Sequence, residues 1–172
     1  MNQKSVISGL FLLLALWAAP LNAADPWQLV QSLPGKEADV RLSEGLSLTV
    51  DAERQRYYVV DSSQGQLVSF DQQGKLLTTL NPGNRLQRPV SLALAPGGKL
   101  WVVERSANQL LYVDLQDQKA RAFDLVYPDG QTIMPDQIAL DGRNRLYVLD
   151  RSRGAVLLLD DNLKVSRTYS GD

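Results

Sequence analysis

The sequence predicts an all-β fold built from tandem copies of one small antiparallel sheet, and three observations carry that prediction. Short runs rich in Val, Leu, Tyr and Trp alternate with turn residues, and none of them is long enough to favour a helix. The runs fall into three segments that align with one another. In each segment one acid closes the second run and another, ten residues on, closes the third: Asp61 and Asp71, Glu104 and Asp114, Asp150 and Asp160.

The first copy places strands at 47–50, 57–61 and 66–71, the second at 91–94, 100–104 and 109–114, and the third at 137–140, 146–150 and 155–160. The copies recur after 43 and then 46 residues, with the extra length in the connection 127–135. That period is the length of a four-stranded β-propeller blade, about 40 to 50 residues. Runs such as 100–103 and 156–159 are apolar without alternation, the pattern of strands buried on both faces. Four residues after each closing acid stand Gly65, Asn108 and Gly154, types that tolerate the positive φ of a tight hairpin, and two residues after it stand Ser63, Ser106 and Ser152. Ala95-Pro96-Gly97-Gly98 and Asp141-Gly142-Arg143-Asn144 supply turns between first and second strands. Asp71 with Gly74 marks a type I turn into a fourth strand. Fourth strands are expected before the first copy at 27–33 and at the end of the third at 163–169.

Pro89-Val90-Ser91-Leu92-Ala93-Leu94 and Leu146-Tyr147-Val148-Leu149-Asp150-Arg151-Ser152 resemble the blades of NHL-repeat proteins, with a proline-led first strand and a second strand ending in Val-x-Asp. The likeness covers residues 45–172 as blades at about 45–80, 89–125 and 135–172. It implies an all-β propeller of the NHL type. The chain departs from the pattern at Gln66, Gln109 and Ala155, where that family carries Asn and a basic residue, and at Glu104, where Asp is usual. Those departures weaken any carry-over of a binding surface more than they weaken the fold.

Ahead of the repeats, Lys4, an apolar run at 6–19 and then Leu21-Asn22-Ala23 have the order of a secretory signal peptide. The run is shorter than the roughly 20 residues that cross a bilayer. Residues 1–23 are therefore read as a signal and 24–172 as the mature, periplasmic or secreted propeller, with no membrane attachment after cleavage. The chain has no cysteine, which removes disulfides, thiolate chemistry and a lipidated anchor, and no histidine, which removes the commonest general base and neutral metal ligand. The mature segment carries 17 cations against 19 acids, a balance without the basic footprint of a nucleic-acid binder.

This inventory implies no catalytic residue, no metal set and no cofactor. The repeated acids Asp61, Glu104 and Asp150 are read as structural, each accepting hydrogen bonds from N–H groups of its hairpin, because a residue needed in every blade serves every blade. Tyr57, Tyr58, Trp101 and Tyr147, at matched strand positions, are read as core. Arg105 and Arg151 each follow one of those acids and read either as a rim patch for an anionic partner or as solvated loop residues. The connection 127–136, with Tyr127, Asp129, Met134 and Asp136, escapes the repeat and reads either as the partner-contact loop or as a tolerated insertion.

An exported protein-interaction or scaffolding module ranks first among functions. A small-ligand sensor ranks second, and a metal-dependent lactonase or lyase third. Propellers similar to this one include lactonases holding calcium through Glu and Asn, and lyases whose chemistry uses the histidine missing here. Because propellers run from about four to eight blades, three blades form an open arc that needs more, from a second copy, another protein or a longer parent reading frame.

The intact mass of the protein recovered from the exported fraction is expected to lack residues 1–23. Retention of that segment would overturn the signal-peptide assignment.

Overall fold

The structure, a computed structural model, describes residues 32–34 and 41–170. The expected signal segment 1–23 lies outside them, and so does the expected leading strand 27–33 apart from Ser32 and Leu33. Among the described residues there are three four-stranded antiparallel sheets, each with its strands in chain order. The first holds β1 (Gly45–Asp51), β2 (Arg56–Asp61), β3 (Gln66–Asp71) and β4 (Leu76–Leu80). A short 3-10 turn at Pro82–Asn84 leads to the second, made of β5 (Pro89–Ala95), β6 (Lys99–Glu104), β7 (Gln109–Asp114) and β8 (Lys119–Asp124). The third holds β9 (Pro135–Leu140), β10 (Leu146–Asp150), β11 (Ala155–Leu159) and β12 (Val165–Tyr169). Among the described residues no helix is long and apolar enough to cross a membrane.

Turn chemistry sets these boundaries. Each hairpin that closes on a buried acid has four loop residues, the last in the left-handed region: Gly65 at φ 59°, Asn108 at 53° and Gly154 at 59°. At Gly65 the backbone is also crowded, since a Cβ there would lie 2.8 Å from the Leu86 carbonyl oxygen. At the opposite edge, Asp71, Asp141 and Asp160 open a tighter turn. Each aspartate accepts the N–H groups two and four residues on, at 2.8 to 3.0 Å, and the residue three on, Gly74, Asn144 or Leu163, takes positive φ. This turn explains why the last strand begins at Val165 rather than at Leu163: Leu163, at φ 59°, donates its N–H to the Asp160 carbonyl and belongs to the turn. The Arg145 N–H, then burial against it, and the Arg143 N–H leave Asp141 at about 2, well below its ordinary value.

The first strands of successive sheets lie side by side, β1 beside β5 and β5 beside β9. A repeated hydrogen bond joins them. The Leu92 N–H donates to Ser47 Oγ at 3.2 Å and the Ile138 N–H to Ser91 Oγ at the same distance. Between the first two sheets, Tyr58, Val60 and Leu67 pack against Leu92, Leu100, Val102, Leu111 and Val113. Between the second and third, Val103 and Leu110 pack against Val148, Leu157 and Leu159. A third cluster, Val59, Val68 and Phe70, lies on the other face of the first sheet with Leu33 and Leu42 over it. Fully burying side chains of this size stabilises by roughly 1.5 to 3 kcal/mol each, so the intersheet layers hold the array together.

Two expectations need correction. The run 156–159 is not buried on both faces, since Leu157 and Leu159 are buried but Val156 is 36% exposed. Nor are all the aromatic residues equally inside: Tyr58 is buried, whereas Tyr57, Trp101 and Tyr147 are half-buried.

Ser69 sits in the layer between the first two sheets, 3% exposed, with its hydroxyl unpaired. An unpaired buried hydroxyl costs about 1 to 3 kcal/mol. Ser69→Ala is expected to raise stability by about 1 kcal/mol, read from urea unfolding, since it removes the polar atom and little volume.

Candidate functional site

The hairpins after β2, β6 and β10, and the segments that feed β1, β5 and β9, meet at one rim of the array. The three repeated acids hold that rim together. Asp61 accepts the N–H groups of Ser43 at 2.9 Å, Glu44 at 3.1 Å and Gln64 at 3.3 Å, with the Ser63 hydroxyl at 3.2 Å. Glu104 accepts the Gln87 N–H at 2.8 Å and the Arg88 and Ser106 N–H groups at 3.0 Å. Asp150 accepts the Tyr127 hydroxyl at 2.7 Å, the Met134 N–H at 3.1 Å and the Ser152 N–H and hydroxyl at 2.9 and 2.8 Å. All three carboxylates are essentially buried, at most 1% exposed. Each fastens the incoming chain of its own blade to the hairpin, a wider role than the hairpin contact expected from sequence.

Burial alone raises the Asp61 and Asp150 carboxyls, but the hydrogen bonds they accept outweigh it and leave both below their ordinary values. Tyr127 moves the opposite way. Burial, then the bond to Asp150 and its charge, push its hydroxyl up to about 12, so it remains a proton donor.

The connection that escapes the repeat is a small hairpin in its own right. The Tyr127 N–H donates to the Gln131 carbonyl at 2.8 Å, the Gly130 N–H to the Tyr127 carbonyl and the Ile133 N–H to the Leu125 carbonyl, both at 2.9 Å. Alternate residues point in and out: Leu125, Tyr127 and Ile133 are buried, while Val126, Pro128, Asp129, Gln131 and Thr132 are exposed. Arg153 lies over the Tyr127 ring, its guanidinium carbon 3.7 Å from the centroid, and pairs with Asp129 at 3.3 Å and with the Gln131 side-chain oxygen. The Gln131 N–H, offset by burial and joined by Arg153, holds the Asp129 carboxyl below its ordinary value.

The two arginines expected at the rim are there, and each is bonded to a side chain of the neighbouring blade. Arg105 pairs with Asp136, joining the second blade to the third, and Arg151 donates to Asn108 Oδ1 at 2.5 Å across the same gap. Met134 contributes its backbone, and its side chain is half-buried. Gln131 lies in the connection singled out from sequence, whereas Arg153 was missed. The available signal was a break in the repeat, because the position of Arg153 is Gln64 and Ala107 in the other copies. Among the described residues Arg85 and Arg88 are exposed rim arginines without an ion pair.

Replacing Tyr127 by Phe, or Asp150 by Asn, leaves buried donors and acceptors stranded and is expected to cost about 1 to 3 kcal/mol. Acid sensitivity follows from the same groups. A carboxyl whose folded value lies below its unfolded value, about 3.9, stabilises the fold above that pH and loses the contribution as pH falls through the folded value. Urea unfolding of the native protein is therefore expected to weaken below about pH 4, with a flatter acid limb for Asp150→Asn. An acid limb unchanged in that variant would remove Asp150 from the account.

No family model and no curated protein sequence matches the chain. Solved structures do. A chain of the Kuenenia stuttgartiensis hydrazine synthase superposes with a TM-score of 0.57 at 16% identity, over 82% of this chain and 40% of that one. Virginiamycin B lyase from Staphylococcus aureus gives 0.56 at 17% identity, over 72% and 40%. A chain of the nidogen/laminin complex gives 0.61 at 16% identity, over 77% and 49%. The chain thus spans about two-fifths to half the length of these structures. At such identities the likeness reaches the fold alone: the three sheets are blades of a β-propeller.

Proposed function

We propose that the chain is an exported propeller module of the NHL type that binds a protein partner through the rim carrying the Leu125–Ile133 hairpin. The carrying observation is that this hairpin departs from the blade repeat, is pinned from below by Tyr127 on Asp150 at 2.7 Å, and presents Val126 at 50% exposure beside Asp129 and Gln131. A rigid scaffold that holds an irregular exposed loop is the usual placement of a recognition element. Arg88, exposed on the same rim and without an ion pair among the described residues, favours a partner with carboxylates able to take guanidinium in a fork. The export reading rests on the order of residues 1–23, and proteins of similar fold include an extracellular domain of a one-component system and a chain of the nidogen/laminin complex. The lyases of similar fold share no more than that with this chain.

A photocrosslinking residue at Asp129 is expected to capture a discrete protein from the native exported fraction, and one at Gln72 on the opposite edge to capture none. Capture from both positions alike, or from Gln72 alone, would place recognition elsewhere.

A further inference from the structure

On the edge away from the rim, the corner where the second and third strands of a blade meet is closed differently in each blade. In the second, Lys99 at the start of β6 stands opposite Asp114 at the end of β7 and pairs with it at 3.0 Å. In the third, Arg145, just ahead of β10, pairs instead with Asp141 at 2.6 Å. The first blade repeats the register of the second, with Arg56 opposite Asp71, yet among the described residues neither of these two side chains is in an ion pair. Cation and acid stay apart, and both line a cavity of about 300 Å³.

A second guanidinium in the lining, that of Arg54, is held in place from two sides. It donates to Asp51, a carboxylate only 1% exposed, at 3.1 Å, and the Arg54 backbone N–H donates to the same carboxylate at 3.0 Å. Behind it lies Gly98 of the second blade, where a Cβ would stand 2.5 Å from the guanidinium carbon, so a glycine there makes room for the arginine. The Arg54 side chain is still 41% exposed, which leaves part of it open to a ligand. Asp71 uses Oδ1 in its turn, accepting the Gln73 and Lys75 N–H groups at 3.0 and 2.8 Å, and keeps Oδ2 for another donor. Gln55, Gln72 and the exposed Leu77 also line the cavity.

We propose that this cavity binds a sugar acid, a small molecule with one carboxylate and several hydroxyls. A guanidinium takes a carboxylate through two parallel bonds, and Arg56, with no ion pair to break among the described residues, is the group that offers them. Amide side chains donate and accept, as a hydroxyl does, so Gln55, Gln72 and Asp71 Oδ2 suit the hydroxyls. Leu77 gives apolar surface to the C–H face of a ring. The volume lies at the lower end of small-molecule sites, about 300 to 1,000 Å³, and so suits a small molecule rather than a protein segment. A free amino acid also carries a carboxylate, but it would leave the amides unused. The site is independent of the rim proposed for a protein partner, and a sugar acid bound in it brings no protein to Gln72.

Calorimetric titration of the purified native protein with D-glucuronate is expected to show saturable binding with a dissociation constant of about 1 mM or below. Glucose, which lacks the carboxylate, and acetate, which lacks the hydroxyls, are expected to bind at least about 10-fold more weakly. Arg56→Gln is expected to weaken glucuronate binding at least about 10-fold, with unchanged melting because the side chain is exposed. Arg56→Lys is expected to weaken it as well although the charge is kept, since a lysine in this register pairs with the acid opposite, as Lys99 does. Arg167→Gln, an exposed change on β12, is expected to leave the affinity as it was. No saturable binding of glucuronate, equal binding of acetate, tighter binding of serine, or full affinity in Arg56→Gln would each overturn the inference.

Discussion

The array depends on one kind of contact, a carboxylate buried at the corner where the chain enters a blade and where the second strand turns back. A loop of backbone N–H groups taken out of water has to be given acceptors, and Asp61, Glu104 and Asp150 supply them from inside. The cost of burying the charge is met by several donors at once, which is the condition under which a buried carboxylate stabilises rather than strains. From that corner follow the direction of the first strand and the lateral reach of Ser47 and Ser91 to the next blade.

The third corner differs from the other two in using a tyrosine hydroxyl, and this couples scaffold to surface. Where Asp61 receives the backbone of Ser43 and Glu44, Asp150 receives the Met134 backbone and Tyr127, which comes from the hairpin that leaves the repeat. The ring of that tyrosine is also the platform under Arg153. One side chain therefore links a buried structural acid to an exposed cation. The blade ties at Arg105–Asp136 and Arg151–Asn108 bring polar side chains to the seam between the second and third blades, where the apolar layer below excludes water.

Much of this was legible in the sequence, for identifiable reasons. The strands and hairpins were readable because the acid, the small polar residue and the left-handed position keep fixed spacing, and such turns depend on local sequence alone. Leu163 shows the limit: a leucine at positive φ does not announce a turn, so the last strand reads two residues too long. The partners of Arg105 and Arg151 were not legible, because Asp136 and Asn108 lie on a neighbouring blade and their approach is set by how sheets stack. The open face around Val156 was hidden for a related reason. An apolar run has the same letters whether its second face is covered or free, and only the absence of a following sheet among the described residues leaves it uncovered.

If the proposed function holds, the small hairpin from Leu125 to Ile133 also bears on the rate at which a partner would associate. Its backbone is closed by its own hydrogen bonds and its base is fixed to Asp150, so the exposed tip is already in one conformation before any encounter. Binding to a preformed element loses little freedom in ordering it. Association is then limited by orientation and by the local charges, in the range of about 10⁵ to 10⁷ M⁻¹s⁻¹, and discrimination between partners falls on how slowly the right one leaves.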